Sequence, residues 1–267
     1  MEAQGAWLRD DRPHALDGLG FASQLVFTTH CLGNFGLDQG EDMDLCYAAA
    51  DAHNRMMTDF CSVDPRLLPV AYIPLEEFHR TLASAKLAID LGAKALMVPS
   101  RCPQNHAPSH IALDPLWAAM QTLATLIFDG VFDRFPNLKW GAIELGASWL
   151  PGWMRSLDSA AHAFMRNEER LQNLSAKPSE IVRRQLRVAP YPHEDAGWII
   201  ANAGEEVCMF SSDYPHVEGG RNPLKRFDES LKGASARGVE RFYSENFIDL
   251  MGDGLSPELR HPAMMPA

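Results

Sequence analysis

The run LPVAYIPL (68–75) carries no charge and no polar alternation, which a strand tolerates only where both of its faces are covered. QLVFTT (24–29), ALMVPS (95–100), WGAIEL (140–145) and VCMFSSD (207–213) read as buried strands of the same kind, and QLRVAP (185–190) is a weaker sixth candidate. Helical periodicity fills the gaps, over about 42–61, 76–93, 113–135, 151–184 and 222–238. Gly92 is placed to end the 76–93 helix. Strands that alternate with helices build a parallel sheet from βα units, either an open doubly wound sheet or a closed barrel.

Polar residues at the ends of the strands favour the barrel. They are Thr28, Thr29 and His30; Ser100 and Arg101; Glu144; His193 and Glu194; and Asp213 with His216. In a barrel such ends share one mouth, where active sites sit. No glycine-rich phosphate loop follows any strand, which weakens the nucleotide-binding form of the open sheet. The prediction is that Asp213, Glu144, Arg101 and His30 converge at one end of a curved sheet.

Composition narrows the partners. A formal charge of −11 argues against nucleic acid and against anionic membrane surfaces, because a phosphate backbone needs Lys and Arg. The five cysteines, Cys31, Cys46, Cys61, Cys102 and Cys208, form no CxxC pair, which fits a reducing cytoplasm better than a disulfide framework. No apolar run approaches the roughly 18 residues of a membrane span, and the N-terminus has no signal-peptide core. Residues 1–255 are read as a single domain and 256–267 as a flexible tail.

Three segments carry a family resemblance: GVFDRFPNLKWGAIELGASWLPGWMRSLD (130–158), FSSDYPHVEGGRNPLKRF (210–227) and FYSENFIDLMG (242–252). They resemble the amidohydrolase-related family, which includes aminocarboxymuconate-semialdehyde decarboxylase and aromatic-acid decarboxylases. DPRLLPVAYIPL (64–75) and LGAKALMVPS (91–100) are similar to the middle strands of that family. The resemblance spans roughly 15–252 and implies a (β/α)8 barrel of the metal-dependent hydrolase type. It also implies a divalent metal, Zn or Mn, at the C-terminal mouth.

Two family segments have no counterpart. The family draws metal ligands from a first-strand His-x-His or Glu-x-His pair, a fifth-strand histidine and a last-strand aspartate. Asp213 matches the last of these, while the stretch before residue 24 resembles the helix that follows the first strand. After DPLWAAMQ (114–121) the chain passes directly to TLATLIFDG, without the strand that would end in His-x-Gly. The barrel is therefore either complete or short of two strands, and about six strands can be counted. Unpaired parallel edges invite association, so a homo-oligomer is expected.

The resemblance implies that Asp213 is a metal ligand and proton shuttle, although an aspartate before Tyr-Pro is also ordinary turn chemistry. Glu144 stands where related decarboxylases often place a catalytic histidine, and can serve as general base or as an ion-pair partner. His216 can orient substrate or hydrogen-bond Asp213, and Arg101 can clamp a substrate carboxylate with its two-pronged guanidinium. His30 and His193 match no family ligand, and Trp149, Trp153 and Phe164 read as packing. The implied activity is metal-dependent hydrolysis, or non-oxidative decarboxylation of a small aromatic or unsaturated carboxylic acid. With Asp213 the one matched ligand, metal binding and turnover are expected to be weak. The alternative is a catalytically inactive relative that acts as a subunit or interaction protein.

Overall fold

The computed structural model describes residues 7–28, 40–99, 114–214, 216 and 222–260. Two compact units emerge, Met1–Pro99 with Asp253–Ala267, and Ser100–Gly252.

In the first unit α1 (Arg12–Leu19) is followed by β1 (Gln24–Val26), α2 (Met43–Cys61), β2 (Leu67–Tyr72), α3 (Phe78–Leu91) and β3 (Ala95–Met97). The strands are parallel in the order β1-β2-β3, with Gln24 opposite Leu67 and Val70 opposite Ala95. Every residue of β2 is buried, as its unbroken apolar run requires. β3 differs from expectation. It is the outer strand of this sheet and Leu96 on it is 41% exposed, so the reading of 95–100 as wholly buried does not hold. Asp42 caps α2 by accepting the Leu45 N–H at 2.9 Å, and Gly92 ends α3 in the left-handed conformation at φ 107°.

β1 pairs with β2 only as far as Pro69. Beyond it the buried side chain of Asn54, from α2, takes over: Oδ1 accepts the Tyr72 N–H at 2.7 Å and Nδ2 donates to the Tyr72 carbonyl at 2.9 Å. A carboxamide offers one donor and one acceptor side by side, so it can replace a strand residue in the ladder.

The second unit runs through α4 (Asp114–Phe128), α5 (Val131–Arg134), β4 (Trp140–Ala142), α6 (Leu150–Phe164), α7 (Glu169–Gln172), α8 (Pro178–Gln185) and β5 (Leu186–Val188). It continues with α9 (Ala196–Ala203), α10 (Pro223–Ser230), α11 (Ala236–Glu240), a π-helical turn (Arg241–Glu245) and α12 (Asn246–Met251). The helical stretch over 113–135 is broken at Gly130, whose φ of 67° no α-helix contains, and those over 151–184 and 222–238 are likewise divided. β4 and β5 are parallel, with Trp140 opposite Leu186. Of the strand expected over 207–213, only Cys208 pairs among the described residues, in a parallel bridge to Val188. On the opposite edge of this segment the Phe210 N–H donates to the Phe242 carbonyl in the π-helical turn at 2.8 Å. The core of this unit gathers Leu123, Ile127 and Phe132 with Leu150, Ile181, Leu186, Ile199 and Phe242.

Two buried amides hold the surrounding loops. Gln185 is fully buried, and its Nε2 lies 3.0–3.1 Å from the carbonyls of Phe132, Phe135 and Leu138. Asn246 donates to the carbonyls of Glu205 and Cys208, both at 2.7 Å.

Gln185→Met fills similar volume but leaves three carbonyls without their donor. It should destabilise the chain by about 2–3 kcal/mol, read as a lower midpoint in urea unfolding. An unchanged midpoint would show that the amide does not hold the FDRFPNL turn.

His53 gives a pH test. Burial, opposed by its hydrogen bond to Asn54, holds its imidazole below the ordinary value of 6.5. The folded state then binds fewer protons than the unfolded state just below that value, so stability is present above it and is lost as pH falls. Unfolding titrations at pH 7.5 and pH 5.5 should show wild type losing more stability on acidification than His53→Gln. Equal losses would assign the effect elsewhere.

Candidate metal centre

β4, β5 and the bridge at Cys208 are parallel, so the segments that follow them emerge at the same end of this unit. Glu144 follows β4, Glu194 follows β5 and Asp213 follows the bridge. Ligand atoms of Glu144, Asp213 and His216 lie within 4.8 Å of one another. The expected convergence is therefore observed for Asp213 and Glu144, with His216 added; His30 and Arg101 lie outside the described residues.

Both carboxylates sit on unusual backbone. Glu144 has φ 65° and Asp213 φ 52°, and among the described residues they are the non-glycine positions in the left-handed region. That region is sparsely used by residues with a Cβ and recurs where a side chain must be aimed at a site. Around Asp213 the local chemistry supports the bend. The Ser211 hydroxyl accepts the Asp213 N–H at 3.3 Å, the Ser212 hydroxyl accepts the Tyr214 N–H at 3.2 Å, and the His216 N–H closes the turn on the Asp213 carbonyl at 2.7 Å.

The Asp213 side chain does not cap this turn. It is only 7% exposed, and Oδ1 lies 3.2 Å from the His216 Nδ1. Its Oδ2 is buried with no hydrogen-bond partner among the described residues. A buried carboxylate oxygen without a donor is costly unless a cation or a ligand proton meets it. A neutral imidazole offers a lone pair on one ring nitrogen, the form in which histidine binds metals. Two carboxylate oxygens and an imidazole nitrogen are a donor set suited to Zn2+ or Mn2+, and three protein ligands leave positions for substrate. The residues present thus fit a divalent cation.

In the sequence Glu194 is marked only by its place at a strand end. Its carboxylate accepts the main-chain N–H groups of Ala147, Ser148 and Tyr191, and so ties the β4 exit loop to the β5 exit loop. Tyr191 donates its hydroxyl to the Glu144 carbonyl at 2.9 Å. His193 stands apart from the cluster and stacks on Tyr191 with ring centroids 5.5 Å apart. Trp149 and Trp153 pack edge to face at 5.4 Å, and the Trp149 indole also donates to the Gly146 carbonyl. Phe164 corrects the packing reading: it lies at the last turn of α6 and is 59% exposed.

Solved structures with the same fold are amidohydrolases and decarboxylases. An amidohydrolase from Mycobacterium avium subsp. paratuberculosis K-10 superposes with a TM-score of 0.75 at 23% identity, over 91% of this chain and 74% of that one. Dihydroxybenzoic acid decarboxylase from Polaromonas sp. JS666, solved with manganese and the inhibitor 2-nitroresorcinol, gives 0.68 at 15% identity over 91% and 85%. 5-Carboxyvanillate decarboxylase from Novosphingobium aromaticivorans DSM 12444, complexed with manganese and 4-hydroxy-3-methoxy-5-nitrobenzoic acid, gives 0.66 at 17% identity over 90% and 79%. No curated protein matches the chain. At these identities the likeness establishes the fold alone, that of an α/β barrel, here with five strands among the described residues. The family model for amidohydrolases matches residues 33–250, most of the sequence, and the chain belongs to the amidohydrolase family.

Proposed function

We propose that the chain is a divalent-metal-dependent carboxy-lyase that removes CO2 without oxidation from a small aromatic carboxylic acid. The observation that carries this reading is the meeting of Glu144, Asp213 and His216 around a buried carboxylate oxygen that lacks a partner. Manganese and substrate-like nitrophenols in two decarboxylases of the same fold support the choice of substrate class over a general hydrolase.

Glu144, Asp213 and His216 would hold the cation. When bound, it supplies positive charge for the substrate carboxylate and a neighbouring hydroxyl. Asp213, beside His216, would deliver a proton to the ring carbon that loses CO2. The electron pair of the breaking C–C bond stays on that carbon and forms the new C–H bond, so no oxidant is required. Solvent then returns a proton to Asp213, so one proton is consumed for each CO2 released, and a hydroxide left by water is taken up by that CO2 as bicarbonate. Arg101, outside the described residues, is proposed to clamp the substrate carboxylate.

The setting is proposed to be a cytoplasmic homo-oligomer. Cys46, Cys61 and Cys208 are buried and form no disulfide among the described residues, which suits a reducing compartment, and burial pushes the Cys61 thiol up to about 12. Among the described residues no helix is long and apolar enough to cross a membrane. A second reading, an inactive relative kept as a subunit or interaction protein, is favoured by the sequence match to Asp213 alone among the ligands of the family.

Metal titration separates the two readings. Dialysed protein should take up one Mn2+ per chain and release CO2 from members of a hydroxybenzoate panel. Asp213→Asn should weaken Mn2+ binding roughly 100-fold and abolish CO2 release while leaving the circular dichroism spectrum unchanged. Absence of saturable Mn2+ binding by wild type would sink the lyase reading in favour of the second.

A further inference from the structure

Glu144 reaches the candidate cation site from a main-chain conformation that residues with a Cβ disfavour, at φ 65°, so its surroundings must hold it there. Two contacts bracket it. Its carbonyl accepts the Tyr191 hydroxyl at 2.9 Å. Three and four residues further on, the N–H groups of Ala147 and Ser148 donate to the Glu194 carboxylate at 2.8–3.1 Å. Glu194 also accepts the Tyr191 N–H at 2.7 Å, so one carboxylate anchors both ends of the bracket.

Among the described residues, every hydrogen-bond partner of this carboxylate is a main-chain N–H. Gly146 lets the carboxylate approach, because its φ is 61° and a Cβ there would come within 2.9 Å of a Glu194 oxygen. The identity of the acid matters. Both of its oxygens accept, so a glutamine would turn its NH2 against a main-chain N–H in either orientation.

We propose that Glu194 is a positioning residue that sets Glu144 for cation binding. The proposal rests on the reading of Glu144, Asp213 and His216 as ligands. Glu194 touches neither the cation nor the substrate and acts through the loop that carries Glu144. Such supporting contacts are worth about 10- to 100-fold in metal affinity where they orient a ligand.

The test is a Mn2+ titration, with free ion followed by electron paramagnetic resonance, on wild type, Glu194→Gln, Glu144→Gln and the double variant. Glu194→Gln should weaken binding about 10- to 100-fold, and Glu144→Gln at least as much. The double variant should bind no more weakly than Glu144→Gln, because the first substitution acts only through the second residue. Wild-type affinity in Glu194→Gln overturns the proposal, and so does full additivity in the double variant, which marks a role in the fold alone. If Glu194→Gln does not fold, Tyr191→Phe removes a single hydroxyl. It should weaken binding several-fold in the wild-type background and not in Glu144→Gln, and an unchanged affinity overturns the bracket. Wild type that binds no Mn2+ rejects the ligand reading itself, an outcome distinct from a Glu194 variant that binds normally.

Discussion

Parallel strands of three residues cannot satisfy much of their own backbone, and buried side-chain amides complete them. β1, β3, β4 and β5 are each three residues long. Polar main-chain groups left over inside a core must still find partners. Asn54 supplies them to Tyr72, Gln185 to the carbonyls of Phe132, Phe135 and Leu138, and Asn246 to those of Glu205 and Cys208. Each amide comes from a helix and reaches a strand or the turn that feeds one, so it fixes helix to sheet as well as closing the ladder.

The same logic extends to the candidate site, with an anion in place of an amide. Glu194 joins two strand exits through their N–H groups, while Asp213 is shaped by the hydroxyls of Ser211 and Ser212. Apolar packing beneath, from Phe210 edge-on against Phe227 and Phe242, keeps the segment before Asp213 from shifting. Rigid support with strained backbone at the reacting groups is the arrangement expected where binding needs fixed geometry.

Much of the fold was legible in hydrophobic runs, and the failures have physical causes. LPVAYIPL declared β2 because both faces are buried, and Gly92 declared the end of α3. VCMFSSD looked like the equal of β2, yet among the described residues it pairs only at Cys208, and its Phe210 N–H goes to a helix carbonyl that no local pattern reveals. QLRVAP looked weaker and is a real strand, its Arg187 buried in an ion pair with Asp249 that lies 62 residues away in sequence. In the site, Asp213 and Glu144 could be suspected from their places after apolar runs. Their approach to His216 could not be read from spacing, since it depends on two left-handed residues that are not glycine. Glu194 gave no signal beyond its position, because its partners are all main chain.

The π-helical turn Arg241–Glu245 sets how tolerant the end of the second unit is to changes in length. Its signature is the Asn246 N–H donating to the Arg241 carbonyl, five residues back. One residue more than an α-turn needs is therefore stored between Phe242, whose carbonyl accepts the Phe210 N–H, and Asn246, whose amide grips Glu205 and Cys208. Deleting a single residue there would close the same turn with an ordinary α-helical bond, because five residues of a π-turn span about the angle that four span in an α-helix. The helix would lose nothing by this, and Asn246 would keep facing both carbonyls, whereas the same deletion in an α-helical stretch would rotate it by about 100°. The turn thus works as a phase adjuster, which keeps the last helix in step with a strand it never joins.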